Sequence, residues 1–172
     1  MGGRKSHEFM AVSNIGESLV AYCDDCDYAA TDEKAKVIYN MDNIDLEELE
    51  CEKVHTPDVK TIEDLADFFN IEEDRFAKAV IYKVNDEVII ALVPGNRELN
   101  EIKLCNYLNI GEHELEIADE ETIREVTGAE PGFTGPINLK KEVKLLVDER
   151  ITKMKNLIVG ANETDHHIKN VN

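Results

Sequence analysis

Basic residues are scarce in this chain. Its 172 residues carry 19 Lys and Arg against 37 Asp and Glu, a formal net charge of −18. Phosphate backbones are held by Lys and Arg, so the balance excludes a domain that grips a nucleic acid by itself. Long apolar runs are also missing. No stretch approaches the ~20 residues that span a bilayer, and the opening Met1-Gly2-Gly3-Arg4-Lys5 has no apolar signal region. Met1-Gly2 followed by Ser6 fits the N-myristoylation pattern, a match too short and common to carry weight. We read a cytoplasmic chain that begins inside a longer polypeptide, away from any membrane.

Cysteines number four: Cys23, Cys26, Cys51 and Cys105. Only the first two form a C-x-x-C, whereas a closed structural zinc site takes four ligands. His7 and His55 stand at no finger spacing. The expectation is no metal site but a surface turn with reduced thiols in a cytosol, with a redox pair as the lesser reading. Familiar catalytic signatures are absent as well. The sequence holds no G-x-S-x-G, no phosphate-binding loop and no dinucleotide glycine motif, and His113-Glu114-Leu115 lacks the second histidine of H-E-x-x-H.

What is present suits one soluble globular domain with a small appendage, at 42% hydrophobic and 33% charged residues. Phe9, Ala11, Leu19 and Ala21 alternate around Asn14-Ile15-Gly16-Glu17 and predict a β-hairpin over 8–23. Residues 31–53 are acidic (Asp42, Asp45, Glu47, Glu48, Glu50, Glu52) and read as a connector with at most a short helix. The chain thus divides into a lead segment, 1–53, and a compact domain, 54–172. Thr61-Ile62-Glu63-Asp64 forms a capping-box pattern before a helix bearing Ile62, Leu65, Ala66 and Phe69 on one face. A second short helix is predicted over 72–77. Strands are predicted over 79–84 and 88–93, joined by Asn85-Asp86-Glu87 and ended by Pro94-Gly95. Helices follow around Leu99–Tyr107 and over 119–126, the latter capped by Asp119 and ended by Gly128. Residues 145–147 and 157–159 are strand candidates, and 166–171 a final edge strand. The order is not a strict βαβ alternation. It predicts an α+β fold with a mixed, largely antiparallel sheet flanked by helices.

Several residues suit chemistry, each with a plainer reading beside it. Lys78 precedes the strand Ala79-Val80-Ile81-Tyr82, at a junction where an ammonium can enter a cleft; surface lysines that bury only their stems are commoner. Gly132-Phe133-Thr134-Gly135-Pro136 has two glycines that permit positive φ and a stiff exit. It either presents backbone N–H groups to an anion or is a tight surface turn. His166 and His167 point to opposite faces of a strand, so at most one enters a cleft, where a neutral imidazole exchanges a proton or hydrogen bond near pH 7. Asp148 ends a strand and either orients the site or binds local N–H groups. Thr56 either meets substrate at a pocket rim or caps a turn. Asn162 shapes its loop.

Together, Val54-His55-Thr56-Pro57, Lys78 before its strand, Gly132 to Pro136, Val147-Asp148, and Gly160-Ala161-Asn162 running to His167 resemble the editing (insertion) domain of bacterial-type prolyl-tRNA synthetase, within the aminoacyl-tRNA deacylase superfamily. Ser6-His7-Glu8-Phe9-Met10 and Tyr22 to Ala30 are similar to the segment leading into that insertion. The resemblance implies hydrolysis of the ester of mischarged alanyl-tRNA(Pro). It implies a substrate contact for Lys78, and a pocket of alanine size lined by Gly132, Phe133, Thr134, Gly135 and Pro136. It selects His167 as the histidine five residues beyond Asn162, and places Thr56, Asp148 and Asn162 at the substrate. Ile168 departs from the family in replacing an aromatic. Editing of this kind takes no cofactor and no metal; ATP and Mg belong to the parent synthetase's aminoacylation site. The implied partners are the acceptor end of tRNA(Pro) and the rest of a synthetase chain whose parent is a homodimer. Two other readings stand beside this one: a non-catalytic module that binds the acceptor end, and a cysteinyl-tRNA(Pro) deacylase. Alanine at Gly132 or Gly135 is expected to harm activity more than stability.

Overall fold

The computed structural model describes residues 9–13, 15–16, 18–38 and 46–172, which fall into two compact units, 1–38 and 39–172. In the first unit β1 (Val20–Tyr22) pairs antiparallel with β2 (Ala29–Thr31), Val20 facing Thr31 and Tyr22 facing Ala29. The hairpin therefore lies later than the predicted 8–23, and residues 9–13 are not strand. Its turn is the C-x-x-C segment, closed by the Cys23 N–H donating to the Tyr28 carbonyl at 2.9 Å. The alternation of Phe9 and Leu19 misled, since both side chains are exposed. Asn14 and Glu17 of the predicted turn lie outside the described residues, as do Asp42 and Asp45 of the acidic connector.

Among the described residues of the second unit, the first regular element is β3 (Glu52–His55). Helix α1 (Ile62–Phe69) follows, with Thr61 Oγ1 accepting the Asp64 N–H as its cap and Asn70 closing it in the left-handed conformation. The predicted helix over 72–77 is a single 3₁₀ turn, Glu73–Arg75. Phe76 leaves the turn with extended backbone and buries its ring, which stops the helix. The long hairpin of β4 (Ala77–Val84) and β5 (Glu87–Pro94) comes next, turning on Asn85-Asp86 with Asn85 at φ 53°. Then follow α2 (Glu101–Leu108), capped by Asn100, β6 (Leu115–Ile117), and α3 (Glu120–Thr127), capped by Asp119 and ended by Gly128 at φ 86°. The chain finishes with β7 (Lys144–Val147), β8 (Leu157–Gly160) and β9 (His166–Val171).

These strands form two sheets, in the orders β6-β4-β5-β7 and β3-β9-β8. Every pairing is antiparallel except β5 with β7. Strand β9 is thus central, not an edge strand, because β3 adds to its outer side. The apolar run of β5 is buried on both faces. Ile90 packs with Ile81 and Val126 of α3, while Ile89 packs with Tyr82 and Leu104 of α2. A parallel bridge between Phe76 and Ile158 ties the start of β4 to β8. Leu65 of α1 packs on both residues, so helix, long hairpin and small sheet converge around one end of β4.

Candidate active site

That convergence encloses a cleft of about 470 Å³. Its wall includes Lys60, Lys78, Gly132, Thr134, Gly160 and His167, contributed by α1's approach, β4, the glycine loop, β8 and β9. Pockets of this size that combine an apolar floor with a few convergent polar groups suit small ligands. Lys78 lies one residue inside β4, paired opposite Val93, and not at a helix-to-strand junction. Its Nζ sits 2.8 Å from Glu98 Oε1; the lysine side chain is 24% exposed and the glutamate 92%.

His167 is 2% exposed. Strand alternation turns it inward while its neighbour His166 reaches the Thr164 carbonyl and the His55 ring at the surface. The His167 Nδ1 lies 2.7 Å from Thr56 Oγ1, and its ring faces Phe133 at 5.7 Å between centroids. Burial pulls its pKa down to about 4, partly opposed by a hydrogen bond to the Gly132 backbone. The ring is therefore neutral at pH 7, and the pairing fits the tautomer in which Nδ1 accepts from the Thr56 hydroxyl. Thr56 is itself fully buried, and its hydroxyl is spent on His167. It orients the histidine and does not stand at the pocket rim.

A stability consequence follows from the depressed value. The unfolded chain binds a proton at His167 near the ordinary 6.5, while the folded chain resists it until about 4. Stability from this group is present above pH 6.5 and is lost as pH falls from there towards 4, on the order of 3 kcal/mol at most. Urea melts between pH 4 and 7.5 should show this loss, and His167→Gln should flatten it. An unchanged slope in the variant would assign the acid sensitivity to other groups.

The glycine loop is held from behind by Asn162, whose φ of 54° is left-handed. The Asn162 Nδ2 donates to the carbonyls of Gly135 (3.0 Å) and Ile137 (2.6 Å), its Oδ1 accepts the Gly135 N–H at 2.8 Å, and its own N–H donates to the Phe133 carbonyl at 2.9 Å. The Gly135 amide is therefore engaged, and so is that of Phe133, by the Glu130 carbonyl. The Thr134 N–H has no hydrogen-bond partner among the described residues, and Thr134 lines the cleft. Phe133 is wholly buried beneath the loop, and Gly135 and Pro136 also lie off the cleft wall. These residues, with Asn162, shape the pocket without facing it. Asp148 is elsewhere: its carboxylate accepts the Arg150 N–H at 2.8 Å, its N–H donates to the Leu92 carbonyl, and it does not line the cleft. Of the residues predicted at the site, the structure thus brings Lys78, Gly132, Thr134 and His167 to one wall.

A family model for the aminoacyl-tRNA editing domain matches residues 56–172. The chain belongs to the aminoacyl-tRNA editing domain family. Among its relatives, the proline--tRNA ligase of Thermoanaerobacter sp. (strain X514) is 55% identical over all of this chain and 30% of that protein. The proline--tRNA ligase of Bacillus subtilis (strain 168) is 43% identical over the same shares. The chain therefore spans about 30% of the length of these curated relatives. A solved structure described as a putative trans-editing enzyme for prolyl tRNA synthetase superposes with a TM-score of 0.61 at 18% identity, covering 69% of this chain and 74% of that one. Hypothetical protein APE2540 superposes equally well at 20% identity, covering 70% and 80%. At those identities the likeness speaks for the α+β fold, which is the editing-domain fold the motifs implied.

Within this editing-family cleft Lys60 is among the residues not anticipated at the site. Lys60 lines the wall facing the glycine loop, with Nζ 3.5 Å from Glu130 Oε2 and 5.6 Å from the centre of the Phe133 ring. Its signal was positional: a lysine directly before the Thr61 cap stands at the mouth of any pocket that α1 borders. Asn162→Ala removes three side-chain bonds to the loop and leaves buried backbone groups unpaired, each worth roughly 1–3 kcal/mol. The expected result is a melting midpoint lowered by more than 5 °C, for a loss of about 2 kcal/mol or more, together with faster hydrogen exchange at residues 133–137. Unchanged exchange there would show that the loop holds itself.

Proposed function

We propose that the chain performs post-transfer editing, hydrolysing the ester of mischarged alanyl-tRNA(Pro) as part of a prolyl-tRNA synthetase. The observation that supports this most is the cleft wall, which Lys78 and its partner Glu98, Thr134 with its unpartnered amide, and the neutral His167 ring all line. Water attacks the ester carbonyl carbon, and negative charge grows on the carbonyl oxygen. Lys78 and the Thr134 N–H are the donors set to receive it. The C–O bond to the terminal ribose then breaks, releasing alanine and the intact tRNA. The Gly135 amide takes no part, since Asn162 holds it. His167 shares its Nδ1 with Thr56 and serves as a positioning wall for substrate or water. The free ribose hydroxyl beside the ester relays the proton that water releases to the departing ribose oxygen, which leaves as a hydroxyl.

The need for such a site is steric. A pocket built for proline rejects a smaller amino acid by only ~1–3 kcal/mol per missing methylene, so a second site must admit alanine and exclude proline. Residues 54–172 form this site and residues 1–53 lead into it from the synthetase body. With a net charge of −18, the domain meets only the acceptor end while the remainder of a cytoplasmic, homodimeric synthetase grips the tRNA.

Deacylation of alanyl-, cysteinyl- and prolyl-tRNA(Pro) by this chain, alone and within a full synthetase, tests the reading. Hydrolysis of the alanyl ester with the prolyl ester spared is the expected outcome, faster in the full enzyme than in trans. Preference for the cysteinyl ester would move the chain to the cysteine-specific reading. Acceptor-end binding without hydrolysis would make it a non-catalytic module.

A further inference from the structure

The β1–β2 hairpin presents a pair of thiols that the cleft chemistry does not use. Cys23 and Cys26 are both exposed within the turn, residues 23–28, that joins the strands. The Cys23 sulfur accepts the Asp25 N–H at 3.4 Å, and Cys26 stands one residue further along the same turn. Backbone N–H groups aimed at a sulfur stabilise its anionic form, and here they hold the Cys23 thiol below its ordinary range.

The other two cysteines show that this is a property of the turn and not of the chain. The Cys51 Sγ donates to the Asn170 carbonyl at 3.2 Å, an arrangement that needs the proton to stay on sulfur. Cys105 is 4% exposed within α2, and burial raises its pKa. Only Cys23 combines exposure, a backbone N–H directed at its sulfur and a second exposed thiol in the same turn.

We propose that Cys23 and Cys26 form a reversible dithiol–disulfide site, with Cys23 as the attacking sulfur. The oxidant is a low-molecular-weight disulfide. The Cys23 thiolate attacks one of its sulfurs, the oxidant's S–S bond breaks, and one thiolate leaves as a mixed disulfide forms on Cys23. The Cys26 thiolate then attacks the Cys23 Sγ, closing the protein disulfide and expelling the second thiolate. Two electrons pass from the cysteine pair to the oxidant, and the two thiol protons end on the released thiols. Asp24, Asp25 and Asp27 crowd the same turn, so a cationic disulfide meets it faster than an anionic one.

The test uses the whole 172-residue chain in cystamine–cysteamine buffers of graded ratio, quenched by a maleimide and mapped by peptide mass. An intramolecular Cys23–Cys26 bond should accumulate at intermediate ratios, while Cys51 gives only a mixed disulfide and Cys105 stays alkylatable after unfolding. Cys26→Ser should stop at a mixed disulfide on Cys23, and Cys23→Ser should slow the first step about tenfold or more. Oxidised glutathione, which is anionic, should react more slowly than cystamine. Equal rates at Cys23 and Cys51 with no internal bond would overturn the proposal. So would protection of both thiols by zinc carried through purification, which would make the turn a metal-binding element. Neither result bears on deacylation, so the site stands or falls apart from the editing reading.

Discussion

Alanine in place of Lys78 should slow hydrolysis of the alanyl ester by roughly 10²–10³ at saturating tRNA, the usual cost of removing one preorganised donor from a developing oxyanion. The fold should barely notice. The ammonium makes one ion pair, and its partner Glu98 is 92% exposed, so the pair contributes well under ~1 kcal/mol. The β4 backbone keeps its register with β5 whichever side chain position 78 carries. The measurement is kcat on alanyl-tRNA(Pro) alongside a thermal melt. Glu98→Gln separates the two roles of the lysine, because it removes the counter-ion and leaves the ammonium in the cleft. That variant should hydrolyse at least as fast as the parent. A Lys78→Ala protein that keeps a near-normal rate would make Lys78 a surface residue and leave the Thr134 amide to act alone.

The features read correctly from sequence are those written locally. The Thr61 and Asp119 caps and the Gly128 terminus are decided within a few residues of themselves, and the β4–β5 hairpin by two apolar runs and the short polar turn between them. Strand β3 was missed because Glu52-Lys53-Val54-His55 offers no apolar alternation; it exists because β9, more than a hundred residues later, supplies its ladder. The misplacement of β9 at an edge is the same error seen from the other side. The hairpin over 8–23 failed for the opposite reason, since an alternating pattern was present whose side chains stay exposed.

At the site, spacing brought the right segments together but did not say which groups face inward. Thr56 and Asn162 carry donors and acceptors suited to a substrate, and the same atoms suit a neighbouring ring or loop. Only the fold shows that Thr56 serves His167 and Asn162 serves Gly135. Phe133 reads as a pocket wall until its complete burial is seen. The glycines were read for positive φ, which holds for Gly132 at 97°. Gly135 is glycine for a different reason, and that reason reverses the expected effect of replacing it.

Gly135→Ala should unfold or severely destabilise the domain. A Cβ at this position would overlap the Gly160 carbonyl oxygen and lie 2.8 Å from its carbon, both backbone atoms. Gly160 cannot yield, because it is paired with His167 across β8 and β9. The loop must move outward instead, which strains or breaks the bonds from Asn162 and lifts Phe133 out of the core. Overpacking alone costs ~1–3 kcal/mol, and the unpaired groups add roughly as much again, so about 3 kcal/mol or more is at stake. Gly132→Ala is the contrasting variant. Its positive φ costs an L-residue roughly 1–2 kcal/mol, but its nearest neighbours are the Lys60 Cβ at 2.9 Å, Cγ at 3.2 Å and Cα at 3.3 Å, and this exposed residue lies outside helix and strand, where the backbone can give by a few tenths of an ångström. That protein should fold and lose activity through a displaced cleft wall. Urea melts and deacylation rates on the two variants decide the matter. If Gly135→Ala melts within a few degrees of the parent, the contact between the glycine loop and β8 is looser than the structure shows, and the pocket is not held in the way described.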